Sequence, residues 1–215
     1  MRTVLLTGFE PFDQDTLNPS WEAVRLLDET LINEDVRIIA RQLPCVFSQA
    51  PAHLHALIER FTPHMVLAVG LGPGRSDIAL ERVAINLIDA RIPDNLGEQP
   101  IDIPVAAEGP TAYFSTLPIK AMVAALRVAG IPATVSHTAG TFVCNQVFYS
   151  LQHSLAGSTV RSGFMHVPLL TEQVALAASA QSSMSLDTLV KALRVAVSAA
   201  LNTLHDVRET GGQLC

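Results

Sequence analysis

Short apolar runs alternate along this chain with longer stretches in which apolar residues recur at helical spacing. Residues 3–7 form an apolar run ending at Gly8, which suits a strand buried on both faces. Residues 9–18 read as a loop. Asn18-Pro19 then supplies an N-cap and a first-turn proline, and Trp21, Val24, Leu27 and Leu31 follow at helical spacing. Residues 36–43 read as a second strand, stopped by Pro44. Residues 48–61 fit a helix with Leu54, Leu57, Ile58 and Phe61 on one side, and residues 65–69 a third strand ending at Gly70. A tight turn at Gly72-Pro73-Gly74-Arg75 leads into residues 78–89, extended in character although Glu81 and Arg82 interrupt the apolar run.

Residues 90–116 are rich in Pro, Gly, Asp and Glu, and irregular chain of that length usually shapes a site or an interface. The spacing then predicts a helix over 119–129 capped by Gly130, a strand over 133–136, a turn over 137–141 and a helix over 144–155. A strand over 161–167 is stopped by Pro168, and residues 185–204 form a long amphipathic helix with Leu186, Leu189, Leu193, Val197 and Leu201 on one face. Strand–helix alternation with short links predicts an α/β fold: a single-domain α/β/α sandwich with a mostly parallel central sheet flanked by helices. The domain is expected to span residues 1–210, with 211–215, including Gly211-Gly212, a frayed tail. In such folds ligands sit beyond the carboxyl ends of the strands.

Composition narrows the classes. A chain of 215 residues with 49% hydrophobic and only 16% charged residues is too apolar for disorder and long enough to bury a core without staples. Its net charge of -6 argues against a nucleic-acid partner, which calls for clustered Lys and Arg. No uncharged apolar stretch approaches the ~20 residues that span a bilayer, so no membrane is expected. Val4-Leu5-Leu6 is shorter than the apolar core of an export signal. Three cysteines, Cys45, Cys144 and Cys215, cannot all pair in one chain, and none lies in a CxxC motif. Free thiols and a reducing, cytoplasmic setting are expected, without a structural metal.

Three residues stand where chemistry could occur. Cys144 lies between a predicted strand and the start of a helix, where the helix dipole and free N–H groups favour thiolate and could hold an oxyanion. The plainer reading is a small buried hydrophobe. His166, at the carboxyl end of a predicted strand, is placed to serve a thiol as base, or is a core histidine bonded to a carbonyl. Glu81 interrupts an apolar strand, and a buried carboxylate needs a partner. Arg75 or Arg82 would make a structural ion pair; an imidazole would be oriented and held in one tautomer. Sequence spacing does not choose between these. The other histidines have weaker context: His53 and His55 do not share a helix face, and no HExxH occurs. Gly72-Pro73-Gly74 lacks the lysine of a phosphate loop. Cys45, after Pro44, reads as inert.

These residues also carry a resemblance. The segment Val4-Leu5-Leu6-Thr7-Gly8-Phe9-Glu10-Pro11-Phe12, followed by Asn18-Pro19-Ser20-Trp21, resembles the opening of the pyroglutamyl peptidase I family, also called the pyrrolidone-carboxylate peptidases. Glu81-Arg82-Val83-Ala84-Ile85-Asn86 and Asp89-Ala90-Arg91-Ile92-Pro93-Asp94-Asn95 are similar to family motifs. So are Ser136-His137-Thr138-Ala139-Gly140-Thr141-Phe142-Val143-Cys144-Asn145 and Phe164-Met165-His166-Val167-Pro168. The resemblance runs from the start of the chain to about residue 170. It implies a cysteine exopeptidase that removes an N-terminal pyroglutamyl residue from peptides. Cys144 would be the nucleophile, His166 the general base and acid, and Glu81 the residue that orients His166. The implied substrate pocket comprises Phe9, Phe12, Ile92, Phe142 and Val143, with Asn18 supporting the loop and Arg91 near the oxyanion position. The family further implies a cytoplasmic homotetramer that needs no metal and no other cofactor.

The chain departs from the family pattern in places. Asp13-Gln14-Asp15 stands where many members have glycines, Leu71-Gly72-Pro73-Gly74-Arg75 replaces the usual Gln-Ala-Gly-Gly-Arg turn, and Cys45 takes the place of a common threonine. Other readings use the same residues. A cysteine amidase for another cyclic or acylated amine predicts thiol-dependent activity without pyroglutamyl preference, and a non-catalytic ligand-binding module predicts no consequence of Cys144→Ala. The architecture alone also admits a nucleoside-phosphorylase-like enzyme, which predicts phosphate-dependent turnover.

Overall fold

The structure, a computed structural model, describes residues 1–13, 15–175, 177 and 180–212. Gln14, Cys215 and the end of the expected frayed tail lie outside the described residues. In chain order the elements are β1 (Arg2–Phe9), α1 (Pro19–Arg25), β2 (Leu31–Ile32), β3 (Val36–Leu43), α2 (Ala50–Phe61), β4 (Met65–Leu71), β5 (Ile78–Glu81), β6 (Val83–Ile85) and β7 (Ala112–Phe114). There follow α3 (Ile119–Val128), β8 (Ala133–Ser136), α4 (Val143–Ser154), β9 (Arg161–Val167), β10 (Leu169–Leu170), α5 (Thr171–Val174), β11 (Ser183–Met184) and α6 (Leu186–Asn202).

Seven strands form the central sheet in the order β2-β3-β1-β4-β9-β5-β8. β3, β1, β4 and β9 run parallel; β5 and β8 are parallel to each other but antiparallel to β9, and β2 is antiparallel to β3. The sheet is therefore mixed. Period-two alternation divides its side chains between two cores. Val4, Leu6, Ile38, Leu67 and Val69 face a core that includes α1, α3 and α6, whereas Leu5, Ile39, Val66, Ala68 and Phe164 face one that includes α2 and α4. This gives the α/β/α layering that the alternation of elements predicts. Because the chain steps from β1 to β3 on one side and then across to β4 on the other, β1 and β4 flank a topological switch point, where open α/β sheets place their ligands.

Three local expectations are corrected. Helix α1 stops at Arg25 and does not reach Leu31: the N–H groups of Leu27 and Asp28 bond three residues back, tightening the end, and left-handed Glu29 (φ 59°) turns the chain into β2. Leu31 is a half-exposed β2 residue. Residues 78–89 do not form one extended element. Arg82 bonds on both sides, its N–H to Ser136 O and its C=O to Ser115 N–H, and the chain then leaves the main sheet to pair β6 with β7. The segment 90–116 is more ordered than its composition suggests. The buried Asp94 carboxylate accepts the N–H groups of Phe47, Leu96 and Glu98, Ile88 bridges Ile103, and β7 closes the stretch. Among the described residues no helix is long and apolar enough to cross a membrane.

Gly8 sets how closely α1 approaches the sheet. A Cβ there would lie 2.7 Å from backbone atoms of Ser20 and Trp21, so the first turn of α1 rests directly on β1. Backbone cannot yield as a side chain can. Gly8→Ala is expected to reduce stability by about 2 kcal/mol, the ordinary cost of overpacking, seen as a lower urea midpoint at unchanged slope. A midpoint equal to that of the unaltered protein would show that the helix can lift without cost.

Candidate active site

The reversed direction of β5 builds the site. In its antiparallel pairing with β9, Glu81 lies opposite Phe164 and Ala79 opposite His166. Directly opposed residues share a face, as do residues two apart on one strand, so Glu81, Phe164 and His166 point to the same side of the sheet. Glu81 is completely buried there, and its Oε1 accepts a hydrogen bond from His166 Nδ1 at 2.7 Å. Since a carboxylate can only accept, this bond fixes the imidazole proton on Nδ1 and leaves Nε2 as the base nitrogen. Phe164 packs beside the imidazole, ring centroids 4.9 Å apart, and itself leans on Phe9 and Phe148.

The thiol arrives from the helix layer packed on that same face. Across the β4–β9 ladder Gly70 is in register with His166. A Cβ on Gly70 would come within 2.8 Å of Cys144 Sγ and 2.9 Å of Phe164. The missing side chain is thus the space into which the sulfur projects, and Cys144 and His166 line one cavity. Cys144 is the second residue of α4, whose N-cap is Phe142. The buried Asn145 ties that first turn down: its Nδ2 donates to the carbonyls of Ile85 and Leu87, and its Oδ1 accepts the Ile85 N–H.

The expected helix N-terminus is present, but the expected acidification of the thiol is overturned. Burial pushes the Cys144 thiol upward, and the neighbouring Cys45 and the Glu81 carboxylate add to the shift. Desolvation of the anion outweighs the helix terminus. The thiol's reactivity therefore calls for a base. Cys45 is buried as well, its thiol raised to about 12 by burial and by Glu10 and Asp94, in keeping with an inert residue.

A cavity of about 500 Å³ opens over these groups, at the ends of β4 and β9 and beneath the loops after β1 and β8. Phe12, Arg91, Ile92, Phe142, Cys144 and His166 all line it. Phe9 and Val143 do not: Phe9 ends β1 with its ring packed on Phe164, and Val143 is fully buried in the first turn of α4. Asn18 lies behind the wall. Its Oδ1 accepts from the Ser20 N–H and hydroxyl, while its Nδ2 donates to Glu10 O, holding the loop that carries Phe12. Of the partners considered for Glu81, two are used at once. Arg75 Nη2 donates to the same Oε1 at 3.2 Å and to Ser136 Oγ at 3.0 Å, whereas Arg82 turns away to Gly211 O.

Sequence reasoning assigned no role to Asn145 or to Phe47, whose ring meets Phe142 edge-on at 5.0 Å. Asn145 acts on β6 and Phe47 on Phe142, partners distant from each in the chain, and neither left a local signal. Among the described residues no group of three or more His, Cys, Asp or Glu side chains is placed to hold a metal ion.

Comparison with known proteins gives a consistent picture. A family model described as pyroglutamyl peptidase matches residues 2–203. A pyrrolidone-carboxylate peptidase of Pseudomonas fluorescens is 66% identical over 214 residues, covering 100% of both chains. That of Escherichia fergusonii is 54% identical, covering 99% of each. The crystal structure of Bacillus amyloliquefaciens pyroglutamyl peptidase I superposes with a TM-score of 0.91 at 44% identity, covering 96% of this chain and 100% of that one. The pyrrolidone carboxyl peptidase of Thermococcus litoralis gives 0.92 at 38%, covering 98% and 100%.

The upward shift of the Cys144 thiol has a measurable consequence. A raised thiol holds less thiolate at neutral pH than a free cysteine. Alkylation of Cys144 by iodoacetamide, followed by mass on the peptide that carries it, should therefore climb steadily from about pH 6 to about pH 9 and stay slower than that of a free thiol. A flat, fast rate at the acidic end would reveal a preformed thiolate.

Proposed function

Since the chain belongs to the pyroglutamyl peptidase family, it is a cysteine-type omega peptidase that removes pyroglutamate from the N-terminus of peptides, and we propose that Cys144, His166 and Glu81 carry the reaction. The observation that carries the assignment is the 2.7 Å bond from His166 to a wholly buried Glu81, at the floor of the cavity that Cys144 also lines.

In this reading His166 Nε2 takes the proton from Cys144 Sγ as the sulfur attacks the pyroglutamyl carbonyl carbon. The oxyanion that forms faces the N–H groups of the first turn of α4, which have no partner within the helix, and Arg91 on the cavity wall adds a positive charge. His166 returns its proton to the departing amine, leaving a thioester on Cys144. It next takes a proton from water, which attacks the thioester; pyroglutamate leaves, and the proton returns to sulfur. Glu81 compensates the imidazolium in each half-reaction and keeps the Nδ1 tautomer. A neutral resting thiol suits this sequence, because ionisation coincides with attack.

The substrate suits the walls. Pyroglutamate is a compact lactam without an α-ammonium group, so no carboxylate or metal is needed to hold its end. Phe12, Ile92 and Phe142 offer apolar surface to its ring, and backbone polar groups can pair with the lactam N–H and C=O. A site whose polar groups must be satisfied rejects rings that leave them unpaired. Three further properties belong to the same proposal: one catalytic domain over residues 1–210, work in the cytoplasm, and assembly as a homotetramer. The free thiols of Cys45 and Cys144 support the cytoplasmic setting, and exposed apolar side chains at Leu96, Ile101, Ile103 and Phe114 support assembly.

Hydrolysis of a pyroglutamyl amide reporter, measured beside prolyl and alanyl reporters, tests the reading. Turnover should be selective for pyroglutamyl, abolished by a thiol alkylator and indifferent to a chelator. Cys144→Ala should lose at least about a thousandfold in kcat, as expected for removal of a nucleophile. Equal turnover of the prolyl reporter would sink the lactam pocket; surviving turnover in Cys144→Ala would sink the nucleophile.

A further inference from the structure

We propose that Arg75 is a positioning residue of this enzyme: from the turn after β4 it balances the buried Glu81 charge, so that His166 rests as a neutral imidazole able to accept the Cys144 proton. The inference rests on the triad proposed above and extends it by a fourth group.

Both bonds that Glu81 makes fall on one oxygen. Oε1 accepts from His166 Nδ1 at 2.7 Å and from Arg75 Nη2 at 3.2 Å, while Oε2 is buried and has no partner among the described residues. A carboxylate removed from water calls for compensating charge. Two groups in contact with it can supply that charge. If Arg75 did not, the carboxylate would draw a proton onto the imidazole, and an imidazolium cannot act as a base. The guanidinium is permanently charged and relieves His166 of that task.

Arg75 is also held in place. Its Nη2 has a second acceptor in Ser136 Oγ at 3.0 Å, and the Ser136 hydroxyl in turn donates to Thr138 O at 3.1 Å. Ser136 is the register partner of Glu81 on β8, so the fork spans adjacent strands. The arginine stem lies over Gly72, where a Cβ would meet Arg75 Cδ at 2.7 Å and His166 Cβ at 3.2 Å. Glycine there lets the side chain cross the strand end beside the histidine. Only part of Arg75 reaches solvent, its side chain being 28% exposed at the cavity wall.

The titratable and charged groups facing His166 are Glu81 from β5, Arg75 from the turn after β4 and Cys144 from α4; Asp89 and Arg91 lie elsewhere along the same cavity. Among these Arg75 is the cation bonded to the carboxylate that orients the imidazole. The test is the pH profile of kcat/KM for the pyroglutamyl reporter in Arg75→Gln and Arg75→Lys, each checked for an unaltered urea midpoint. Gln keeps an amide donor and loses the charge; Lys keeps the charge.

The acid limb of Arg75→Gln should move to higher pH by about one unit, roughly the effect of one charge at contact distance. The consequent loss of activity should be regained on raising the pH. Arg75→Lys should restore the limb to its original position. A packing role would lower activity evenly across the pH range. An unmoved limb in folded Arg75→Gln, or an equal displacement in Arg75→Lys, would overturn the proposal. Cys144→Ala, measured beside them, keeps the two claims apart. Turnover surviving in that variant removes the triad itself, whereas an inactive Cys144→Ala with an unmoved Arg75→Gln limb removes only the role of Arg75.

Discussion

A charge without access to water governs the chemistry of this molecule. Glu81 sits in the interior of the sheet, wholly buried, and an isolated carboxylate there would take up a proton and become neutral. What sustains it is a set of donors brought together by strand register. His166 comes from β9, paired antiparallel with β5; Ser136 from β8, paired parallel with it; and Arg75 from the turn after β4. The mixed direction of the sheet is thus more than a topological detail. Antiparallel pairing places Glu81 opposite Phe164, two residues from His166 on the same face, and lets the carboxylate reach Nδ1 diagonally. Sliding β5 by one residue would turn Glu81 to the other face, among the side chains packed on α3 and α6.

The same burial that strengthens the Glu81–His166 bond works against the sulfur. Removing water makes an anion costly, and the thiol is raised despite its place at a helix N-terminus. Two adjacent anions in one dry site would repel, and Glu81 is among the causes that raise the thiol. In the reaction proposed, a thiol raised by burial delays sulfur ionisation until a carbonyl carbon is present to receive the electron pair. In that proposal the cavity walls suit the order of events, with apolar rings to surround the scissile group and helix N–H groups to meet the developing charge.

Much of this was legible in the residue pattern. Apolar runs of five to eight residues ending at Gly or Pro marked β1, β3, β4 and β9 because buried parallel strands carry few polar residues. Glu81 was conspicuous for the same reason, as a carboxylate in a run that otherwise tolerates none. Spacing offered Arg75, Arg82 or an imidazole as its partner and did not choose among them, because Arg75 and His166 reach it through strand order, which is non-local. The reversal of β5 and the tether from Asn145 to β6 are of the same kind. Phe9 and Val143 show the converse limit. Both stand one residue from a loop, and whether such a ring or branched side chain faces cavity or core depends on strand parity and helix phase at the element's end. The acidity of Cys144 was misjudged because a local feature, the helix terminus, competes with a global one, the depth of the site.

The departures from the family pattern can be weighed against the bonds that hold the loops. Cys45 stands where a threonine is common, and a lost hydroxyl would matter if the side chain anchored the loop. Here the anchor is backbone. Glu10 Oε1 accepts hydrogen bonds from the Cys45 N–H at 2.9 Å and from Asn95 Nδ2, which in addition donates to Pro11 O. One carboxylate thereby joins the loop after β1, the loop after β3 and the loop that follows Ile92, whatever side chain position 45 carries. The turn at Leu71-Gly72-Pro73-Gly74-Arg75 obeys the same logic. Gly74 keeps the glycine that its positive φ of 80° demands, and Gly72, where the usual turn has Ala, lies against the side chains of Arg75 and His166. The altered residues at 71, 72 and 73 line the cavity and carry no side-chain hydrogen-bonding group, so the change falls on the shape of the wall.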